Sequence, residues 1–153
     1  MGDLGGFAGM AFVYRVRMPD GVAERTDGTD IWIDDRLTPI QEKCAIAHAM
    51  VHIEWGHSTL QREDIEMQVR YETARRLLPL DVIAGICKDG KNLKTIAAEL
   101  GVTRQVLMDR AVTLTDNQAL AAGCLSCLKC PSVAARYAPQ PVPVDPYDLA
   151  ICA

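Results

Sequence analysis

The sequence predicts an α+β fold that is mainly helical, with a small antiparallel three-stranded sheet at its start. Residues 11–35 hold three short strand-like runs separated by turn signals, whereas residues 38–123 hold a succession of helix starts and stops. The chain has 153 residues, of which 49% are apolar and 24% charged. That length and balance are typical of one compact domain with its own core.

The predicted sheet rests on three runs. Residues 12–17, FVYRVR, alternate with a period of two, which is typical of a half-buried strand. The turn sequences PDG and DG separate this run from residues 21–26 and from residues 31–34. Two tight turns between three short runs predict an antiparallel meander.

Two longer helices follow the sheet. The first is predicted over residues 38–56, because Thr38 is a good N-cap, Pro39 suits the first helical position and Gln41 completes a capping box. Gly56 is expected to end this helix. The second is predicted over residues 62–78, where a proline follows.

Shorter helices and a different kind of tail complete the chain. The short helices are predicted near residues 81–88, with Asp81 as cap, and near residues 93–100, 103–112 and 115–123. Thr115 and Gln118 form a second capping box. We therefore predict one domain over residues 1–123 and a tail rich in cysteine and proline over residues 124–153.

The net charge and the lengths of the apolar runs argue against some classes of partner. The net charge of −4 argues against general coating of nucleic acid, and no apolar run approaches the roughly 20 residues that span a bilayer. Residues 1–10 lack the basic segment of a secretory signal. We expect a cytoplasmic protein with no membrane partner.

The main chemical signal is the run HAMVH at residues 48–52. His48 and His52 are four residues apart, so on a helix both imidazoles project from one face and can reach a single Zn²⁺. The zinc-peptidase motif is H-E-x-x-H, and Ala49 stands at the position of its catalytic glutamate. That glutamate carries protons and is not a ligand, so metal binding can survive without it. The alternative is that both histidines are ordinary polar residues on a half-buried helix face.

The surrounding sequence resembles a known family. The stretches TPIQEKCAIAHAMVHIEWGH, residues 38–57, and YETARRLLPL, residues 71–80, resemble the active-site helix and the second helix of ImmA/IrrE zinc metallopeptidases. The likeness covers about residues 11–120 and is nearest to compact versions from phages and mobile elements. It implies a zincin-like helix pair, one Zn²⁺, and a protein partner that is a repressor or similar transcription regulator. With Ala49, we expect little or no proteolysis, as in a natural pseudoenzyme or an inactivated variant.

The resemblance also implies an acidic third ligand on the second helix. Glu72 is the first choice, and Glu66 is the fallback. Glu72 has an alternative role as a surface carboxylate paired with Arg75 or Arg76, at helical spacings of three and four. His57, at the end of the first helix, is interpreted as a surface histidine, with a contact to substrate as the alternative.

Residues 93–110, LKTIAAELGVTRQVLMDR, have the spacing of a helix-turn-helix. Ala97 suits a close helix crossing and Gly101 suits a turn with positive φ. The residues expected to be exposed on the second helix, where they could contact DNA, are Arg104, Gln105 and Arg110. A non-enzymatic regulator that binds DNA or a repressor through this segment is the alternative function. We favour a helical hairpin packed on the core.

A cysteine cluster begins the tail. Cys124, Cys127 and Cys130 form C-x-x-C-x-x-C, a spacing that lets neighbouring thiolates hold one metal ion. Cys152 or Cys87 could supply a fourth ligand. A second, structural zinc site is one interpretation, and an iron–sulfur cluster is another. The alternative to both is a tail with free thiols or one disulfide.

Overall fold

A computed structural model of the chain describes residues 11–83, 91–115 and 117–118. The elements are β1 (Val13–Val16), β2 (Glu24–Thr26), β3 (Ile31–Asp34), α1 (Pro39–Glu54), α2 (Glu63–Leu77), α3 (Leu80–Ile83), α4 (Leu93–Leu100) and α5 (Arg104–Thr113). Within these described residues, three short strands and five helices confirm the mainly helical α+β class.

The sheet corrects the sequence prediction. Its strand order is β1-β3-β2, with β2 antiparallel to β3 but β1 parallel to it, so the sheet is mixed and the predicted antiparallel meander is wrong. The first turn does form, since the amide of Val22 donates to the carbonyl of Pro19, yet the two strands that it joins do not pair. Ile31 and Ile33 make β3 the most buried strand, and the central place in the sheet covers it on both edges.

Helix α1 begins as predicted and separates two cores. Thr38 and Gln41 form the capping box through reciprocal backbone bonds, and Gly56 follows the helix with a φ of +77°. On one side of α1, Ala45 packs against the sheet. On another, Cys44 packs into a larger core made with α2, α4 and α5.

The larger core is built from helices whose ends are marked by capping residues in the sequence. Asn92 caps α4, Gly101 follows it in the left-handed conformation with a φ of +66°, and Thr103 caps α5. Helix α5 packs against α2. Its apolar side chains meet those of α4 and of the end of α2, among them Leu78, Ile96, Val106 and Leu107.

The remaining predictions for the helices are partly answered. Helix α3 begins at Leu80, one residue earlier than predicted, and its expected continuation beyond Ile83 lies outside the described residues. The capping box of Thr115 and Gln118 is present, and the rest of that helix also lies outside them. Across the described ranges, every helix is too short or too polar to cross a membrane.

Candidate metal centre

The two histidines of α1 meet at their ring tips. His48 and His52 lie one helical turn apart, both are buried, and their Nε2 atoms are 3.0 Å apart. The ring centroids are separated by 4.8 Å at an interplanar angle of 60°. The helix therefore points both imidazoles at one position, as the sequence predicted from their spacing.

A carboxylate from α2 joins them. Glu66 Oε2 lies 3.5 Å from His48 Nε2 and 3.3 Å from His52 Nε2. Burial opposes ionisation of Glu66, but hydrogen bonds from the two imidazoles outweigh it and hold the pKa of this carboxyl well below its usual value. The ligand atoms of His48, His52 and Glu66 all lie within 4.8 Å of one another, so this group could hold a metal ion.

The separations fit a tetrahedral ion. Bonds of about 2.0–2.1 Å to nitrogen and oxygen place tetrahedral ligand atoms about 3.3–3.4 Å apart. The three observed separations, 3.0, 3.3 and 3.5 Å, bracket that value. Three protein donors also leave one tetrahedral position for another molecule.

Of the two acidic residues suggested as third ligand, the fallback Glu66 joins the two histidines, whereas the first choice, Glu72, does not. Glu72 binds Arg75 at 3.1 Å and Arg76 at 2.8 Å, which is the surface pairing weighed as its alternative. The side of α2 that faces α1 carries Glu66 with the buried Val69 and Thr73, three and seven residues later. The apolar Val69 was the signal that could have identified Glu66, because it indicates which side of α2 faces inward.

His57 is part of the site's surroundings. Its Nδ1 lies 3.0 Å from Nδ1 of His52, and the side chain is half-buried. Partial burial, followed by the nearby His52, lowers the pKa of His57. One of these two nitrogens donates to the other, so His57 contacts the ring nitrogen of His52 that faces away from His48 and can fix the orientation of that ring.

Glu24 is the functional candidate that sequence reasoning missed. It lies on β2 with only 1% of its surface exposed, and its Oε1 is 4.0 Å from His48 Nε2. With residues 25–26 and 58–60 and with His52 and Glu66, it lines a cleft of about 180 Å³. Its run was assigned as a strand, but without strand pairing the sequence could not show which of its side chains faces α1.

Ala49 supplies no carboxylate to this centre. Its methyl group is fully buried and belongs to the apolar cluster of Ala45, Ile31 and Ile33. Helix α1 thus contributes His52 to the lining of the cleft, the buried His48 beside it, and an apolar contact to the sheet.

Two of the three residues suggested for DNA contact form hydrogen bonds within the protein. Arg110 is buried and donates from Nε to the carbonyl of Leu78, and Gln105 donates to Asp109. Arg104 alone of the three suggested residues is exposed. The expectation that Arg110 is exposed is therefore wrong, and α5 packs against α2 in the manner of the favoured helical hairpin.

The cysteines predicted for a second metal site, Cys124, Cys127, Cys130, Cys152 and Cys87, lie outside the described residues. Comparisons with protein-family models, curated proteins and solved structures found no match to this chain.

Proposed function

We propose that this chain is a zinc-binding protein of the ImmA/IrrE metallopeptidase kind, whose cleft engages a polypeptide segment of a repressor or other transcription regulator. The observation that carries the proposal is the convergence of three donor atoms, His48 Nε2, His52 Nε2 and Glu66 Oε2, at near-tetrahedral separations. The class of partner is what the resemblance of the α1 and α2 sequences implies.

The donor set supports zinc. Two neutral imidazoles and one carboxylate are the ligand set of many catalytic zinc sites, which keep one open position. A bound Zn²⁺ would supply a Lewis acid that polarises a carbonyl oxygen and activates water. His57 beside His52 resembles the outer hydrogen-bonding partners that orient metal-binding histidines.

The walls of the cleft support a polypeptide as the bound molecule. Strand β2 is an outer strand of the sheet, and Glu24, Arg25 and Thr26 all line the cleft. An extended segment that added to β2 would hydrogen-bond through its main chain and pass beside the metal ligands. Because these hydrogen bonds use the main chain, a segment of any protein partner could form them, whatever its side chains.

Proton transfer decides whether binding leads to cleavage. Ala49 has no titratable group, and general acid–base catalysis is typically worth about 10²- to 10⁴-fold in rate. A centre that relied on its three ligands alone would therefore capture a polypeptide and cleave it slowly.

Zinc binding by the full chain tests the proposal. In a Cys124→Ser/Cys127→Ser background, which removes zinc held by the tail, we expect one zinc per chain by elemental analysis. Adding His48→Ala and His52→Ala should remove it, whereas Glu72→Gln should leave it in place. Circular dichroism checks that each variant is folded. A background protein that binds no zinc, or a histidine variant that keeps it, would contradict the proposal.

The polypeptide part has its own measurement. Fluorescein-labelled, carboxymethylated casein serves as an extended probe, and its anisotropy should rise on addition of the zinc-loaded chain. We expect binding at least about tenfold weaker for the double histidine variant, the loss of one zinc–carbonyl contact. Equal binding by both proteins would show that the cleft is not the polypeptide site.

A further inference from the structure

We propose that Glu24 is the acid–base carboxylate of this centre, reaching it from β2 in place of a glutamate at position 49. The inference rests on the proposed zinc function and adds to it the group that would move protons. It assigns a chemical role to a buried residue that lies outside the three-atom ligand group.

Strand pairing places Glu24 on the correct face of the sheet. Glu24 is directly opposite Ile33 in the antiparallel pair of β2 and β3. Side chains of directly opposed residues project from the same face of a sheet. Ile33 belongs to the apolar cluster of Ala49, so Glu24 projects towards the same side of α1, one strand nearer to the cleft.

Distance and burial show how close the carboxylate comes. Glu24 Oε1 lies 4.0 Å from His48 Nε2, against 3.3 and 3.5 Å for the contacts of Glu66 with the histidines. Glutamate is almost never fully buried unless it is paired, and Glu24, which is 1% exposed, has the imidazole of His48 as a neighbour. A carboxylate just beyond the ligand atoms, in the wall of the same cleft, would be placed to hydrogen-bond a molecule held beside a bound ion.

The chemistry needs one proton carrier. In peptide hydrolysis, the oxygen of a water molecule bonds to the carbonyl carbon, and the carbon–nitrogen bond breaks. Glu24 would accept one proton from that water and pass it to the departing nitrogen, so that an acid and an amine are released and the carboxylate is regenerated. Ala49 cannot perform either transfer, whereas a carboxylate on β2, in the wall of the cleft, can perform both.

A small zinc-binding acid tests this role without a known substrate. Acetohydroxamic acid chelates zinc and gives up a proton when it binds, so a neighbouring carboxylate strengthens its binding by accepting that proton. We would measure its affinity for the zinc-loaded chain by calorimetry, in the Cys124→Ser/Cys127→Ser background. The zinc affinity of each variant would be measured separately by competition with a chromogenic chelator.

The variants separate a proton acceptor from a ligand and from a spectator. For Glu24→Gln, we expect zinc affinity within about tenfold of the parent, the low end for groups outside the ligand set. Its acetohydroxamate affinity should fall about 10- to 100-fold, the loss of a hydrogen bond to a charged group. Glu63→Gln, an exposed change one turn before Glu66, should alter neither.

Three results would overturn the inference while leaving zinc binding intact. They are unchanged acetohydroxamate affinity in Glu24→Gln, loss of zinc from that variant to the same extent as from Glu66→Gln, and failure of the zinc-loaded parent to bind the acid. Retained zinc affinity also reports that the Glu24→Gln site is folded. Failure of the parent to bind zinc would instead refute the proposed function itself.

Discussion

Both halves of the protein bury a carboxylate paired with an arginine, Asp109 with Arg70 and Asp34 with Arg36, but they differ in what else they bury. In the helical half, Asp109 is buried against Arg70, with a closest contact of 2.6 Å, and also accepts from Gln105. Arg110 is buried too, and it donates to the carbonyl of Leu78 at 2.7 Å. Each of these buried charges meets an oppositely polarised group that the fold itself provides.

In the half formed by the sheet, α1 and the first turns of α2, carboxylates and imidazoles converge on one another. Glu24, His48, His52 and Glu66 bring carboxylate oxygens and imidazole nitrogens together around one position. Atoms of both types bind divalent cations. The comparison separates buried charges that stabilise the fold from a group of donor atoms that could hold a metal ion.

The largest expected effect is a loss of stability in the helical half. Leu107 is buried in the core between α4, α5 and the end of α2, so Leu107→Ala should lower the free energy of unfolding by about 2–5 kcal/mol. Urea denaturation in the presence of EDTA measures this loss. Val112→Ala, an exposed change on the same helix, should cost less than about 0.5 kcal/mol. Zinc affinity of folded Leu107→Ala should match the parent, and a parallel fall would show that the two halves are not independent.

The next effect belongs to the metal centre. Glu66→Gln removes an anionic donor, so it should weaken zinc binding by more than about 100-fold, or roughly 2.7 kcal/mol. Stability measured in EDTA at neutral pH should fall as well, because the hydrogen bonds that lower the pKa of Glu66 also stabilise the folded state. Glu72→Gln on the same helix should leave zinc affinity unchanged, since Glu72 is paired with Arg75 and Arg76. Equal losses from both variants would contradict the assignment of Glu66.

A smaller effect tests the buried ion pair of the helical half. Asp109→Asn should cost about 2 kcal/mol, because it leaves Arg70 beside a neutral group, and the partial exposure of Arg70 reduces the penalty for breaking a fully buried pair. Asp64→Asn breaks the exposed pair with Arg62 and should cost less than about 0.5 kcal/mol. Urea denaturation of both variants gives the comparison. Similar costs would mean that burial does not distinguish the two pairs.

The sequence predicted local features better than contacts between distant elements. Thr38 with Gln41, and Thr115 with Gln118, form their capping boxes because such motifs depend on residues three apart. His48 and His52 converge for the same reason, since one helical turn fixes their spacing. These predictions needed no knowledge of the fold.

The wrong or missing predictions concern which strands pair and which side chains face α1. Nothing local shows that β3 lies between β1 and β2, because that order depends on which strand gains most from burial. Glu66 and Glu72 are both acidic and both on α2, and only the packing of α2 on α1 distinguishes them. Glu24 was not predicted, because its position beside the histidines depends on a strand pairing that the sequence did not reveal.

The smallest effect is a coupling between two positions of the metal-centre half. Ala49→Glu inserts a carboxylate into an apolar cluster beside the face from which Glu24 projects, so the variant should be destabilised. If the two carboxylates compete for one space, Glu24→Ala should reduce that cost by about 1 kcal/mol, measured as a double-mutant cycle by urea denaturation in EDTA.

Ala97→Glu provides the matched control in the helical half. Ala97 is also buried among apolar side chains, but in the other core, so the cost of Ala97→Glu should be independent of Glu24 within about 0.5 kcal/mol. Coupling at position 49 and not at position 97 would show that a carboxylate from β2 occupies the room that a glutamate on α1 would need. Additive costs at both positions would mean that Glu24 and residue 49 do not share that room, and the two halves would then respond to a buried carboxylate in the same way.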